Sequence, residues 1–184
     1  KAGTLAGVGV GSGNLNMENI AGSTVILYAK NAQDTIHTGD IIVGETLSVS
    51  GNNLALGNIT KDAQQSGTMK LNIVGAGANQ PVDSFTAVID NQGKDVVFDT
   101  LWVKNADVTV KNGNMAINNL SVEDVAHFHN NGLDTAVYGG VPVRGNEDSI
   151  FLVDSRRTRG QNNINYDRLF FGKDNKQPVV DEVL

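Results

Sequence analysis

Residues 44–60 read GETLSVSGNNLALGNIT, and this stretch decides the fold class. Leu47 and Val49 alternate with Ser48 and Ser50, then Gly51, Asn52 and Asn53 interrupt, then Leu54 and Leu56 resume the alternation. Apolar residues at every second position mark a strand with one face buried. Gly and Asn accept left-handed backbone at little cost, so the interruption reads as a corner. Nothing in the stretch is acidic, basic or nucleophilic enough to look like a site. It reads as wall, with two short strands turned about an Asn-rich corner.

The same texture extends both ways. Runs such as TVILYA at 24–29, DIIV at 40–43, MKLNIV at 69–74, FTAVI at 85–89 and LWV at 101–103 are three to six residues long and rich in Val, Ile, Leu and Thr. No segment has the apolar spacing of an amphipathic helix; 61–65 and 121–126 are too short to stand without packing. The expectation is an all-β chain. A β-sandwich is the alternative, but it prefers longer strands joined by hairpins. Between Val96 and Leu120 the runs begin five to seven residues apart, with corners at 99–100, 104–107, 111–114 and 118–119. Such short strands suit a coil in which each pairs with the next turn rather than with its sequence neighbour. Leu47 and Val49 lie 22 residues before Met69 and Leu71, Val88 lies 22 before Val110, and VVF at 96–98 lies 19 before MAI at 115–117. A parallel β-helix of roughly 20–22 residues per coil follows, with the Asn-Asn pairs at 52–53, 118–119 and 130–131 at its corners. Coils are expected over 1–143. The charge-rich 144–184 reads as terminal coils with a loop excursion at 155–165, or as a cap of the same domain.

Composition bounds the role. Among 184 residues there are 21 Gly and 22 Asn but 3 Pro, which suits frequent corners. A net charge of -6 argues against a nucleic-acid partner, whose phosphates need clustered Lys and Arg. Without cysteine there are no disulfides, thiolate metal sites or cysteine nucleophiles. No run approaches the roughly 20 apolar residues of a membrane-spanning helix, so no membrane insertion of this segment is expected. The chain does not begin with Met and reads as a piece of a longer protein.

Candidate chemistry is sparse. Gly7, Gly9, Gly11 and Gly13, and separately Gly75 and Gly77, evoke a dinucleotide loop. The positions that should complete G-x-G-x-x-G are Ser12 and Gln80, and neither cluster leads into a helix; no cofactor is expected. His127 and His129 flank Phe128 and point to one face of a strand, a spacing that can chelate a metal. A third ligand would come from His37, Asp124 or Asp134 if the fold brought one close; an exposed wall decorated with two imidazoles is the plainer reading. Asp154 with Arg156 and Arg157, and Asp95 with Asp99, are the candidates for carboxylate chemistry on a polysaccharide. The plainer reading of 154–160, DSRRTRG, is a solvated loop with surface ion pairs. Trp102 suggests a core or groove position. Asn58-Ile59-Thr60 and Asn119-Leu120-Ser121 match the N-glycosylation pattern, as chance allows in an Asn-rich chain.

The phrases LSVSGNNLALGNIT and ADVTVKNGNMAINNLSV, at 47–60 and 106–122, carry a family likeness over roughly 40–140. This texture resembles the repetitive regions of filamentous-haemagglutinin-like large exoproteins exported by two-partner secretion. The resemblance implies a right-handed parallel β-helix serving as adhesin, toxin-delivery stalk or contact-dependent inhibition rod. It implies a secreted or cell-surface location, an outer-membrane transporter as partner during export, and a cell-surface receptor or glycan afterwards. The family's Asn-Pro-Asn secretion motif is missing here, since the prolines are Pro81, Pro142 and Pro178. The segment therefore corresponds to the passenger, and no functional residue carries over. A polysaccharide hydrolase or lyase on the same fold is the alternative.

Overall fold

A computed structural model describes residues 5–78, 80–113, 115–131, 137–139, 143–145, 150–156, 165–171 and 179–183. The chain winds as a parallel β-helix of about six turns with almost no helix. The first turn comprises β1 (Leu5–Val10), β2 (Leu15–Asn16) and the start of β3 (Ile20–Ala29). β4 (Thr35–His37) and the first half of β5 (Ile41–Ser50) complete the second. β6 (Asn53–Ala55) and β7 (Ile59–Lys61) belong to the third, followed by β8 (Met69–Val74) and β9 (Val82–Asp90). The fifth turn is the single long element β10 (Val96–Lys111). β11 (Met115–Ile117) and β12 (Leu120–Asn131) form the next, then β13 (Val137–Gly139), β14 (Val143–Gly145) and β15 (Ile150–Arg156). All these pairings are parallel. Parallel strands cannot be joined by tight hairpins, so the sandwich alternative falls. β16 (Asn165–Phe171) and β17 (Val179–Val183) then run antiparallel, on β15 and on each other.

Parallel pairing in register stacks each inward residue on its counterpart one turn away. One column runs Ile20, Ile41, Ile59, Ile89, Val110, and every member is buried. Another runs Val25, Leu47, Leu71, Phe98. Later turns fill the lumen with rings. Phe98 meets Phe85 and Phe128 edge-on, at centroid separations of 6.2 and 6.0 Å. Alanines share their columns: Phe85 is followed by Ala106 and then Ala126 on the next two turns, and Ala87 lies two turns before Phe128. Large residues set against small ones let such an interior fill without overpacking.

Corners use two devices. Some are bends within an extended strand, so several runs that look separate in sequence are one element. The apolar part of DIIV and all of TLSV fall in β5, and β10 absorbs the corners at 99–100 and 104–107. The ladder shifts at these bends, between Gly22 and Thr24, Phe98 and Thr100, and Val103 and Asn105, as bulges allow. Other corners are polar ladders. The side-chain oxygen of Asn19 accepts from Asp40 N at 2.9 Å, and that of Asp40 accepts from Asn58 N at 3.0 Å. Gly39 and Gly57 stack there so closely that a Cβ on Gly57 would run into the Gly39 backbone.

Two spacings differ from the sequence estimate. Leu47 pairs with Leu71 and Val49 with Ile73, 24 residues on, because the turn at 62–68 lengthens that coil. Val110 pairs with Ile89 and not Val88. A one-residue slip exchanges faces, and Val88 is the outward neighbour. VVF at 96–98 does pair with MAI at 115–117. The Asn-Asn pairs at 52–53 and 118–119 sit at corners, whereas Asn130 and Asn131 lie within β12. Trp102 lies between buried Leu101 and Val103 on the outward side and is half-buried, so it is not part of the core.

Lys61 breaks the apolar rule inside. It ends β7 beside Val43, with 1% of its surface exposed. Its Nζ donates to the carbonyls of Asp62 and Gln65 at 3.0 and 2.8 Å, so the 62–65 turn replaces water around the ammonium. The Gln65 amide is fixed by Ser23 Oγ and by the Asp62 carboxylate, and Gly44 lacks the Cβ that would displace it. Burial lowers the Lys61 pKa from its usual 10.5, with the Asp62 charge acting the other way.

Two outcomes follow from this interior. Phe98→Ala should lower the unfolding free energy by about 3–5 kcal/mol in urea, while the outward Thr86→Ala stays within about 0.5 kcal/mol; a loss at Phe98 under about 1 kcal/mol would contradict a tightly filled lumen. Because the Lys61 pKa is lower folded than unfolded, the unfolded chain binds more protons between the two values, and stability rises with pH across that window. Wild type should therefore gain on Lys61→Met as pH climbs toward the ordinary lysine value of about 10.4, read as the gap between urea midpoints. A flat or shrinking gap would mean the ammonium is not desolvated.

Candidate functional site

Outward residues of β9, β10 and β12 form rows across three successive turns. One row is Thr86, Asp107, His127 and the next is Val88, Thr109, His129. The alternation that buries Ala126 and Phe128 turns both imidazoles outward. Their ring centroids lie 3.7 Å apart, tilted by 42°. His129 Nε2 is 2.8 Å from Asp107 Oδ1. The His129 side chain is 32% exposed and that of Asp107 63%, so this pair faces solvent, whereas Nε2 of His127 is buried. Asp107 was not singled out in the sequence, although it stands 20 residues before His127, one coil length.

Acidic residues surround this wall. Asp124 accepts from Asn105 Nδ2 at 3.1 Å. Lys104 pairs with Asp83, whose hydrogen bond and charge raise the lysine pKa. Both partners are exposed, so the pair adds little stability. The other expected third ligands are placed differently. His37 belongs to β4 in the second turn, and the His pair to the sixth. Four turns at about 4.8 Å per strand spacing put about 19 Å between them along the axis. Asp134 and Arg157 lie outside the described residues. Among the described residues no group of three or more His, Asp or Glu is arranged to hold a metal.

The carboxylate candidates divide likewise. Asp99 Oδ1 accepts from Asn118 Nδ2 at 3.0 Å, and its carbonyl accepts from Asn119 Nδ2 at 2.8 Å. Asp95 is exposed, and its carbonyl takes Met69 N–H. Asp154 and Arg156 stand in β15, with backbones in register beside His129 and Asn131. The glycine clusters are structural. Gly7 and Gly9 belong to β1, Gly13 has a positive φ, and Gly75 approaches the Gln80 carbonyl where a Cβ would not fit. Ala76–Ala78 is one 3₁₀ turn with Gly77 at φ 69°, too short to cradle a phosphate.

Asn52 shows where the opening stretch spends its polar groups. It is 6% exposed; its Oδ1 accepts from Ala76 N at 2.7 Å and its Nδ2 donates to Gln80 Oε1 at 3.1 Å. Neighbouring Asn53 donates to the Ala32 carbonyl in the preceding turn. Two adjacent asparagines thus bind the turns above and below. Asn52→Ala should cost about 1–3 kcal/mol, since the buried Ala76 N–H loses its acceptor, and should speed hydrogen exchange at Ala76; unchanged exchange there would remove this role. No family model, curated protein or solved structure matches the chain.

Proposed function

We propose that the chain is a rod segment of a large secreted or surface-displayed bacterial exoprotein, adhesive or stalk-like in role. The observation that carries this reading is how the polar side chains are used. Asp40, Asp90, Asp99 and Asp124 each accept from an amide or backbone N–H of the adjacent turn. Asn19, Asn52, Asn53, Asn105 and Asn119 also bond across turns. These four acids and five amides tie coil to coil. The haemagglutinin-like texture of 44–60 and 106–122 points the same way.

In this role the chain crosses an outer-membrane transporter unfolded and winds up outside. A cysteine-free chain whose every turn stacks on the previous one suits that route. The rod then presents its outer walls to a receptor or glycan, or distances a tip from the cell. Purified chain is expected to bind a glycan array or whole cells saturably, with Asp154→Ala binding as wild type. Turnover of an acidic or neutral polysaccharide, lost in Asp154→Ala, would replace this reading with the enzymatic one.

A further inference from the structure

The two ends of the coil are built differently. At the later end the parallel ladder stops at β15, whose far edge is taken by antiparallel β16, with β17 beyond it carrying Asp181 and Glu182. At the first turn β1 pairs with β3, and no other described residue takes its second edge. The hydrogen bond from Lys30 N to the Val10 carbonyl sets the phase of that ladder. Ala6, Val8 and Val10 turn their N–H and C=O groups to β3, so those of Leu5, Gly7 and Gly9 point along the axis, away from the coil. Edge strands are ordinarily protected from further pairing by a charge, a proline or a bulge. β1 reads LAGVGV in unbroken register with β3 and has none of the three. Its inward Val8 and Val10 are half-buried, whereas their counterparts one turn on, Leu27 and Ala29, are closed off.

The outer face over the same strands is apolar. Of the five exposed large hydrophobics among the described residues, Leu5 at 68%, Ile26 at 42% and Tyr28 at 36% all lie in β1 and β3. Ile26 stands beside Gly7 and Tyr28 beside Gly9, with Tyr28 Cδ1 3.3 Å from where a Gly9 Cβ would be. The two glycines thus leave a step of bare backbone below Ile26 and the Tyr28 ring, open towards the free edge.

We propose that the free edge of β1 pairs antiparallel with the same edge of a second copy, Gly7 opposite Gly7, in a head-to-head dimer. In that register Leu5, Gly7 and Gly9 of one copy exchange their free N–H and C=O groups with Gly9, Gly7 and Leu5 of the other. Ala6 meets Val8 on the inward side, so the two apolar interiors join. Leu5 lies opposite Gly9 of the other copy, where the missing side chain leaves the Tyr28 ring as its neighbour. A two-fold face sets each charge against its own kind. The first turn tolerates this, because Glu18 is the only charged residue between Leu5 and Gly22. Head-to-tail stacking is blocked on the β15 wall by β16, so association stops at two. The dimer goes beyond the rod reading: it doubles the length of the coil and leaves the outer walls free.

The test is sedimentation velocity of the 184-residue chain over a concentration series. Expected is a reversible monomer–dimer equilibrium. Leu5→Lys places like charges along the shared edge, and Gly7→Pro removes an edge N–H that the monomer leaves unpaired. Each should weaken the dimer by at least about tenfold. Because the chain has no cysteine and a Cβ on Gly7 meets open space, Gly7→Cys gives a positional readout. Facing Cα atoms of a hydrogen-bonded antiparallel pair are about 5.5 Å apart, within disulfide reach, so mild oxidation should join two copies. Thr86→Cys, outward on β9, should stay unlinked. Far-ultraviolet circular dichroism of each variant checks that the fold is kept. A monomer at every concentration, species larger than a dimer, a dimer that Leu5→Lys and Gly7→Pro both leave intact, or equal cross-linking at positions 7 and 86 would overturn the pairing. None of these outcomes would touch the rod reading.

Discussion

Register between successive turns is the constraint on which the rest of this molecule depends. In a parallel ladder each residue meets its counterpart one coil away, at about 4.8 Å. Whatever occupies a position is therefore copied in character along the axis. The column Ile20, Ile41, Ile59, Ile89, Val110 is that rule in its simplest form. Coil lengths differ, yet the column survives, because extra residues leave through the turn at 62–68 without shifting the inward positions.

Corners meet the same constraint by polar means. A backbone leaving the ladder has N–H and C=O groups with no strand partner, and these need acceptors and donors. Asn19, Asp40 and Asn52 provide acceptors for the next turn, and Asn53 and Asn119 provide donors for the previous one. Glycine enters where two turns approach too closely for a Cβ, as at Gly39 and Gly57. The high content of Asn and Gly is therefore a consequence of stacking, and it accounts for most of what looked like blandness.

Departures from the pattern are the informative positions. Lys61 stands where a Val or Ile would be expected and is held by the two carbonyls of a turn. Asp107 and the two histidines stand in outward rows whose other members in β9 and β10 are Thr and Val. Alternation across Phe128 showed in the sequence that both rings share a face. It did not show that Asp107 is their neighbour, because that contact runs diagonally between turns and skips 22 positions. The burial of Lys61 was equally hidden: β7 is three residues long, too short for alternation to tell its inward side from its outward one.

The sequence by itself determined the fold class, the near absence of helix, the corners at 51–53 and 118–119, and the inward faces of 47–49 and 96–98. All are local properties, set by period-two alternation and by residues that tolerate turning. Tertiary structure decided coil length, register and the pairing of side chains across turns. Leu47 meets Leu71 rather than Met69 because the ladder is fixed by the packing of whole turns, and the 62–68 detour alters the count without altering the pattern. A period of two tells which face a residue takes; only the closed coil determines which residue stands on the next turn beside it.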